Sequence, residues 1–178
     1  MELLEEARKG NKEAFEELIE DLQIKLYKTA RYYFTDEDDV IYVMQISLKK
    51  LFKEIINVKK EEQLMPLAIK FLIKNCEEVH LKKSKNKNWL KHISSDDSKN
   101  KYEKYRSISL EEQYITSLKK EFRLISILYF YVCLDSQQIA NILKMSSKDV
   151  DKIIDTVREQ LYEMITNEGT KKYNEYVK

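Results

Sequence analysis

The chain has 178 residues and nearly balanced charge, with 32 Lys and Arg against 31 Asp and Glu. It contains only two glycines and one proline, too few for the turns of a β-rich protein, so the composition excludes an all-β fold and predicts an all-α one. This length suffices for one domain or two small ones.

The first part of the chain is predicted to form core helices. A short amphipathic helix is predicted over Met1 to Lys9, with Gly10 ending it and Asn11 capping the next helix. That next helix is predicted from about Lys12 to Tyr33, because its apolar residues recur at spacings of three and four.

The helix predicted from Asp36 to about Ile56 carries apolar residues on two faces. Its first turn, residues 36–39, is entirely acidic, which the helix dipole favours. One apolar stripe predicts a core face, and a second lies elsewhere on the cylinder and includes Ile41, Tyr42 and Ile46. Either a third helix covers this second face or a partner protein docks on it, and the pattern leaves both interpretations open.

A charged loop, Asn57 to Gln63, precedes a helix with Pro66 in its first turn. This helix leads into a basic block, Lys82 to Lys91. Residues 59–106 carry 13 basic and 7 acidic side chains, so positive charge is concentrated there. The block is interpreted either as a phosphate contact or as a solvated lysine-rich linker.

The segment from Ser84 to Ser107 is rich in Lys, Ser, Asn and Asp, which predicts a flexible linker. The predicted organisation is therefore two small helical domains, residues 1–84 and 108–178, joined by a linker over 85–107.

Beyond the linker, a short helix is predicted from Leu110 to Ser117 and a longer one from Leu118 to Val132. The segment Ser136 to Asp155 then fits the twenty-residue template of a helix-turn-helix. Its apolar and small positions are filled by Ile139, Ala140, Leu143, Met145, Val150 and Ile153.

The turn of this template departs from the usual pattern, because Lys144 stands where glycine would relieve a left-handed backbone. An ordinary helical hairpin with a tight turn is the alternative to a helix-turn-helix. The second helix is predicted to continue until Gly169 stops it.

The second helix of the template presents a mixed surface. Its outward positions are Ser146, Ser147, Lys148 and Lys152, which in a DNA-binding arrangement would reach base edges and phosphates. Neighbouring aspartates would repel phosphate, so the helix is expected to bind DNA weakly without a second contact or a larger assembly.

The sequence gives little support for an enzyme, a metal-binding protein or a membrane protein. Cys76 and Cys133 lie far apart in helical patterns and are predicted to be buried core thiols. No catalytic triad, phosphate loop or zinc-ligand spacing is present, so neither an enzyme, a metal nor a cofactor is expected. The acidic start of the chain and the shortness of its longest apolar stretch, Leu124 to Leu134, predict a cytoplasmic protein without membrane insertion.

The order of these parts resembles that of the extracytoplasmic-function (ECF) sigma factors of bacterial RNA polymerase. Ala7 to Leu18 resembles the opening of those proteins, Asp36 to Phe52 their polymerase-binding helix, and Phe71 to Lys85 their promoter-melting helix. The helix-turn-helix completes the order. The tyrosine- and lysine-rich stretch from Asp39 to Phe52 is similar in character to the divergent clostridial toxin-gene sigma factors.

The resemblance implies an alternative sigma factor that binds the β′ and β subunits of core polymerase and directs promoter-specific initiation. A region 2-like domain would open the −10 element, a region 4-like domain would read the −35 element, and an anti-sigma factor is a further partner to be expected. The implied polymerase-binding residues are Asp39, Tyr42, Gln45, Ile46 and Lys49. The implied −10 contacts are Asn75, Glu78, Lys82 and Lys83 with the loop Asn57 to Gln63, and the implied −35 contacts are Ser146, Ser147, Lys148 and Lys152.

Two departures accompany the resemblance. Tyr42 stands where the family usually has glutamine, and the reading helix is more acidic than usual. The rival interpretation is a helix-turn-helix transcription regulator of sigma-like layout that acts without core polymerase.

Overall fold

The computed structural model describes residues 2–85, 102, 105 and 110–176, and the side chains of all of these except 110–112, 120 and 168–176. Most of the described residues are helical and none lies in a strand, which confirms the predicted all-α class. The chain divides into two compact units, residues 1–107 and 108–178.

The described part of the first unit, residues 2–85, contains five α-helices. They are α1 (Glu2–Arg8), α2 (Lys12–Leu18), α3 (Glu20–Tyr33), α4 (Glu37–Glu54) and α5 (Leu64–Lys85), with short 3-10 turns at Ile55–Asn57 and Glu61–Gln63. The helix predicted over 12–33 is therefore two helices. They meet at Ile19, whose backbone leaves helical geometry (φ −98°, ψ 3°) while its side chain stays buried.

Local capping explains where the first helices begin. Gly10 adopts a positive φ of 92°, which a glycine accepts without steric cost, and so turns the chain between α1 and α2. The side chain of Asn11 then accepts a hydrogen bond from the Ala14 amide at 3.2 Å, as the sequence predicts. At α4 the cap is Asp36, which accepts from the Asp38 amide at 3.0 Å.

The core of the first unit lies where α3, α4 and α5 pack together. Fully buried side chains come from all three helices and include Leu26, Met44, Leu51, Ile69 and Leu72. Burying such side chains is the main favourable term in folding.

The second unit contains α6 (Leu110–Ser117), α7 (Lys120–Ser126), a π-helical turn (Ile127–Tyr131), α8 (Ser136–Leu143) and α9 (Ser147–Tyr176). The bounds of α6 agree with the prediction. The helix predicted over 118–132 is instead divided between α7 and the π-helical turn. The prediction that Gly169 stops the last helix is wrong, because a single glycine costs a helix only about 1 kcal/mol and need not end it.

The two cysteines differ in environment. Cys76 is buried on α5, as predicted, and burial raises the pKa of its thiol. The prediction of burial is wrong for Cys133, which is exposed. Cys133 has a left-handed backbone (φ 67°) in the connection before α8, where its neighbours Val132 and Leu134 take the buried positions.

Among the described residues, no helix combines the length and the apolar character that a bilayer crossing requires.

Candidate functional site

Helices α4 and α5 run antiparallel and are joined by polar contacts at two levels. At one level, Lys83 of α5 pairs with Asp39 of α4. At the other, Asn75, eight residues before Lys83, contacts Ser47, eight residues after Asp39. The expected polymerase-binding residues on α4 and the expected −10 contacts on α5 therefore lie on neighbouring helices.

Asp39 and Lys83 form an ion pair inside this interface. Asp39 is only 3% exposed, whereas the Lys83 side chain is 29% exposed. Burial raises the pKa of Asp39, and the hydrogen bond and charge of Lys83 partly oppose that rise. The Asp39 carboxylate is enclosed and already bonded within the chain, and its contact with polymerase stays a prediction.

Asn75 is also internal, with none of its surface exposed. Its amide donates a hydrogen bond to the Ser47 hydroxyl at 2.8 Å and accepts one from the Lys50 ammonium. A buried amide must be hydrogen-bonded, and this one bonds within the protein, while its expected contact with DNA stays a prediction. The only sequence signal for this network is its spacing, since Asn75 falls three residues after the apolar Leu72 and four before Val79.

The remaining residues of the expected polymerase-binding set are at the surface. Tyr42, Gln45 and Ile46 are half-buried and Lys49 is exposed. The second apolar face of α4 is thus divided: Ile41 is 6% exposed and belongs to the core, whereas Tyr42 and Ile46 keep part of their surface accessible.

The two parts of the expected −10 surface do not come together. The loop Asn57 to Gln63 precedes α5, whereas Glu78, Lys82 and Lys83 lie near its other end. From Gln63 to Lys82 the helical rise amounts to about 28 Å. The loop is held by the Gln63 side chain, which accepts from the amides of Lys59 and Lys60 at 2.9 and 3.2 Å.

One of the lysines at the far end of α5 is paired with α4. The antiparallel arrangement places the acidic first turn of α4 beside Lys83, and Asp39 takes up that lysine directly. Lys82 is exposed and Glu78 is half-buried. Lys87 and Lys91 of the basic block lie outside the described residues.

In the second unit, α8 and α9 are joined by a tightly specified turn. Asp135 and Gln138 form reciprocal side chain to backbone bonds of 2.7 and 3.0 Å at the start of α8. Lys144 has the predicted left-handed backbone (φ 56°, ψ 43°), and the next amide, of Met145, donates to the Ala140 carbonyl at 3.0 Å.

The buried positions between α8 and α9 follow the predicted pattern with three changes, of which the first is that Leu143 is only half-buried. Ile139, Ala140 and Val150 are buried as predicted, but Met145 is 39% exposed. The side chain buried one turn after Val150 is Ile154 rather than Ile153, which is half-buried.

The outward residues at the start of α9 have unequal roles. Ser146 caps the helix, since its hydroxyl accepts from the Asp149 amide at 3.1 Å and donates to the Asp149 carboxylate at 2.6 Å. Ser147 is half-buried, while Lys148 and Lys152 are exposed. The two lysines are four residues apart and therefore share one face.

Arg158 is a further cation on α9, and the sequence pattern does not indicate its role. Arg158 donates to the Tyr129 hydroxyl at 2.7 Å, lies 5.3 Å from the centre of that ring, and pairs with Asp155 at 3.1 Å. Nothing in the helix-turn-helix template marks this position. The contacts hold a guanidinium on the exposed side of α9.

No group of three or more His, Cys, Asp or Glu side chains suited to a metal ion occurs in the part of the chain that the structure describes.

Neither a protein-family model nor a curated protein sequence matches the chain. A solved structure does, that of CnrH in complex with the cytosolic domain of CnrY, with a TM-score of 0.58 and 17% sequence identity over 93% of this chain and 96% of that one. The chain has the fold of an ECF sigma factor. At this identity the likeness bears on the fold alone.

Proposed function

We propose that the protein is an alternative sigma factor, which binds core RNA polymerase and directs initiation at specific promoters. The observation that carries the proposal is the likeness to CnrH, because it extends over 93% of this chain and so takes in both units and their order. A sigma-like role fits the weakly charged start of α9, since a polymerase that holds both units would raise their effective concentration at DNA.

The polymerase-docking surface in this proposal is the exposed side of α4 around Tyr42, Ile46 and Lys49. Half-buried apolar side chains beside an exposed lysine give a patch with an apolar centre and a polar edge, as protein interfaces commonly have. The contacts of Ser47 and Asp39 with α5 support this role by fixing the helix that carries the patch.

For the upstream element, Lys148 and Lys152 are the proposed DNA contacts. Both are exposed on one face of α9, and Arg158 is added as a phosphate contact further along the same helix. Ser146 is assigned to capping instead, because its hydroxyl is engaged by Asp149 on both its donor and acceptor sides.

For the downstream element, two separate contacts are proposed in place of one. The loop offers the exposed Lys59 and Lys60, and the far end of α5 offers Lys82. A DNA strand that touches both must cover about 28 Å, which is roughly eight nucleotides of B-form strand at 3.4 Å each. The loop and the helix end would therefore contact different nucleotides.

Regulation by a protein partner is part of the proposal. CnrH is in complex with the cytosolic domain of CnrY. By analogy, an anti-sigma factor would bind this protein in the cytoplasm and compete for the α4 surface. A finer placement among the divergent clostridial toxin-gene sigma factors rests on the tyrosine- and lysine-rich sequence of α4.

The test is assembly with core polymerase. Purified full-length protein is mixed with core polymerase of a bacterium that uses ECF sigma factors, and the complex is separated by gel filtration. We expect a stoichiometric complex that elutes with core polymerase. A protein that elutes separately while binding promoter DNA by itself would favour the regulator that acts without polymerase.

A further inference from the structure

Two tyrosines from the predicted linker are part of the first unit. Tyr102 is 3% exposed and Tyr105 is 7% exposed, and both rings lie against Tyr27 of α3. Ring centres are 6.3 Å apart for Tyr27 and Tyr102, 6.0 Å for Tyr27 and Tyr105, and 6.1 Å for Tyr102 and Tyr105. All three pairs fall within the range of attractive aromatic contacts.

The third ring of this cluster is firmly held by the helices beneath it. Tyr27 is 1% exposed, and its hydroxyl donates to the two carboxylate oxygens of Glu37, the first residue of α4, at 3.1 and 3.2 Å. Arg31 of α3 approaches the same carboxylate at 3.9 Å. Tyr102 and Tyr105 therefore pack on a surface that α3 and α4 fix together.

This packing changes where the chain leaves the first unit. If Lys85 at the end of α5 were the last anchored residue, the chain would cover 25 residue steps before α6 begins at Leu110. With Tyr105 anchored, only five steps remain. At no more than about 3.6 Å per step, the greatest span falls from about 90 Å to about 18 Å.

We propose that Tyr27, Tyr102 and Tyr105 form a clasp, which ties the connecting segment to the first unit and limits how far the second unit can move from it. The clasp is an intramolecular contact and does not depend on the proposed function. Its consequence does rest on that function: in a sigma factor, the clasp would restrict the spacing of the two promoter elements that both units can reach together.

Chemical modification of the unaltered full-length protein tests the clasp first. Nitration with tetranitromethane, followed by peptide mass spectrometry, reports how accessible each tyrosine ring is. We expect Tyr102 and Tyr105 to react at least tenfold more slowly than Tyr162, which is 73% exposed. Reaction of all three at similar rates would overturn the proposal.

A distance measurement tests the limit on span. A nitroxide is attached to the exposed thiol of Cys133 and another to a cysteine placed at the exposed Lys70, while buried Cys76 stays unlabelled. Double electron-electron resonance then gives the distance distribution. In the variant Tyr102→Ala with Tyr105→Ala, we expect the distribution to extend by more than about 10 Å toward longer distances.

Two controls separate the clasp from general loosening. Tyr162→Ala should leave the distribution unchanged, and Tyr102→Phe with Tyr105→Phe, which keeps both rings, should behave like the unaltered chain. Hydrogen exchange of α3 to α5 establishes that the first unit stays folded. Superimposable distributions for the unaltered chain and the double alanine variant would overturn the proposal. Because neither polymerase nor DNA is present, such a failure is separate from failure of the proposed function.

Discussion

Removing Lys83 should destabilise the first unit much more than removing its neighbour Lys82. In Lys83→Met, the methylene stem is kept and the ammonium is lost, so Asp39 remains 3% exposed without its cation. Removing one partner of a fully buried pair costs about 3–5 kcal/mol. Since 29% of the Lys83 side chain is exposed, water can reach part of the site, and we expect a loss of about 2 kcal/mol.

The assay must report on the first unit alone, because a chain with two units need not unfold in a single transition. Hydrogen exchange in increasing urea, read by mass spectrometry on peptides from α4 and α5, meets this need. A loss of about 2 kcal/mol corresponds to a fall in melting temperature of roughly 10 °C for a domain of this size. Lys82→Met, an equivalent change at an exposed position, should alter stability by less than about 0.5 kcal/mol.

Equal effects of Lys83→Met and Lys82→Met would refute a stabilising role of Lys83 beside the buried Asp39. It would also be refuted if adding Asp39→Asn to Lys83→Met failed to recover stability, since the double change leaves no buried charge to compensate. The double-mutant cycle measures the coupling of the pair directly.

Three other substitutions test the buried Asp39, the exposed side of α4 and the exposed face of α9. Because burial raises the pKa of Asp39, its ionisation opposes folding at a pH above that pKa. The variant Asp39→Asn should therefore be at least as stable as the unaltered protein at pH 7. Urea titrations should show this advantage shrinking as the pH falls toward 3.8, because the native carboxyl then protonates. A larger advantage at acidic pH would contradict the sign. The double variant Tyr42→Ala with Ile46→Ala should weaken binding to core polymerase at least tenfold, measured by fluorescence anisotropy. Its loss of stability should stay below about 2 kcal/mol, because both side chains are only half-buried. Loss of helicity in this variant would instead identify the two side chains as core residues. Lys152→Glu should weaken holoenzyme binding to the upstream promoter element about tenfold in filter binding and leave polymerase binding intact. The control Lys119→Glu, at another exposed position of the second unit, should leave both kinds of binding intact. Equal loss of both activities in Lys152→Glu would remove Lys152 from the DNA surface.

The sequence predicts the helices of this protein well because their signals are local. The bounds of α6, the cap at Asn11 and the left-handed turn at Lys144 each depend on residues within one or two turns. The exposure of Cys133 could not be predicted in this way, because a helical pattern does not reveal that the chain leaves the helix just before that residue.

The candidate site was harder to predict, because it depends on how two helices align. Asp39 sits in an entirely acidic helical turn that suggests a surface position, yet the antiparallel alignment of α4 and α5 turns it inward. The spacing of Asn75 from Leu72 and Val79 indicates an inward position, but only the alignment of the two helices shows that its partner is Ser47. The clasp has the same origin: Tyr102 and Tyr105 lie in a strongly polar segment, and only their contact with Tyr27, about 75 residues earlier, distinguishes them.

The central claim is that both units act together on promoter DNA when core polymerase holds them. Transcription in vitro from a supercoiled library of genomic fragments, using core polymerase with and without this protein, tests it most directly when the transcripts are sequenced. We predict new transcript starts that require the protein, share two upstream elements at a constant separation, and are lost with Tyr42→Ala and Ile46→Ala. An identical set of starts with and without the protein would contradict the account.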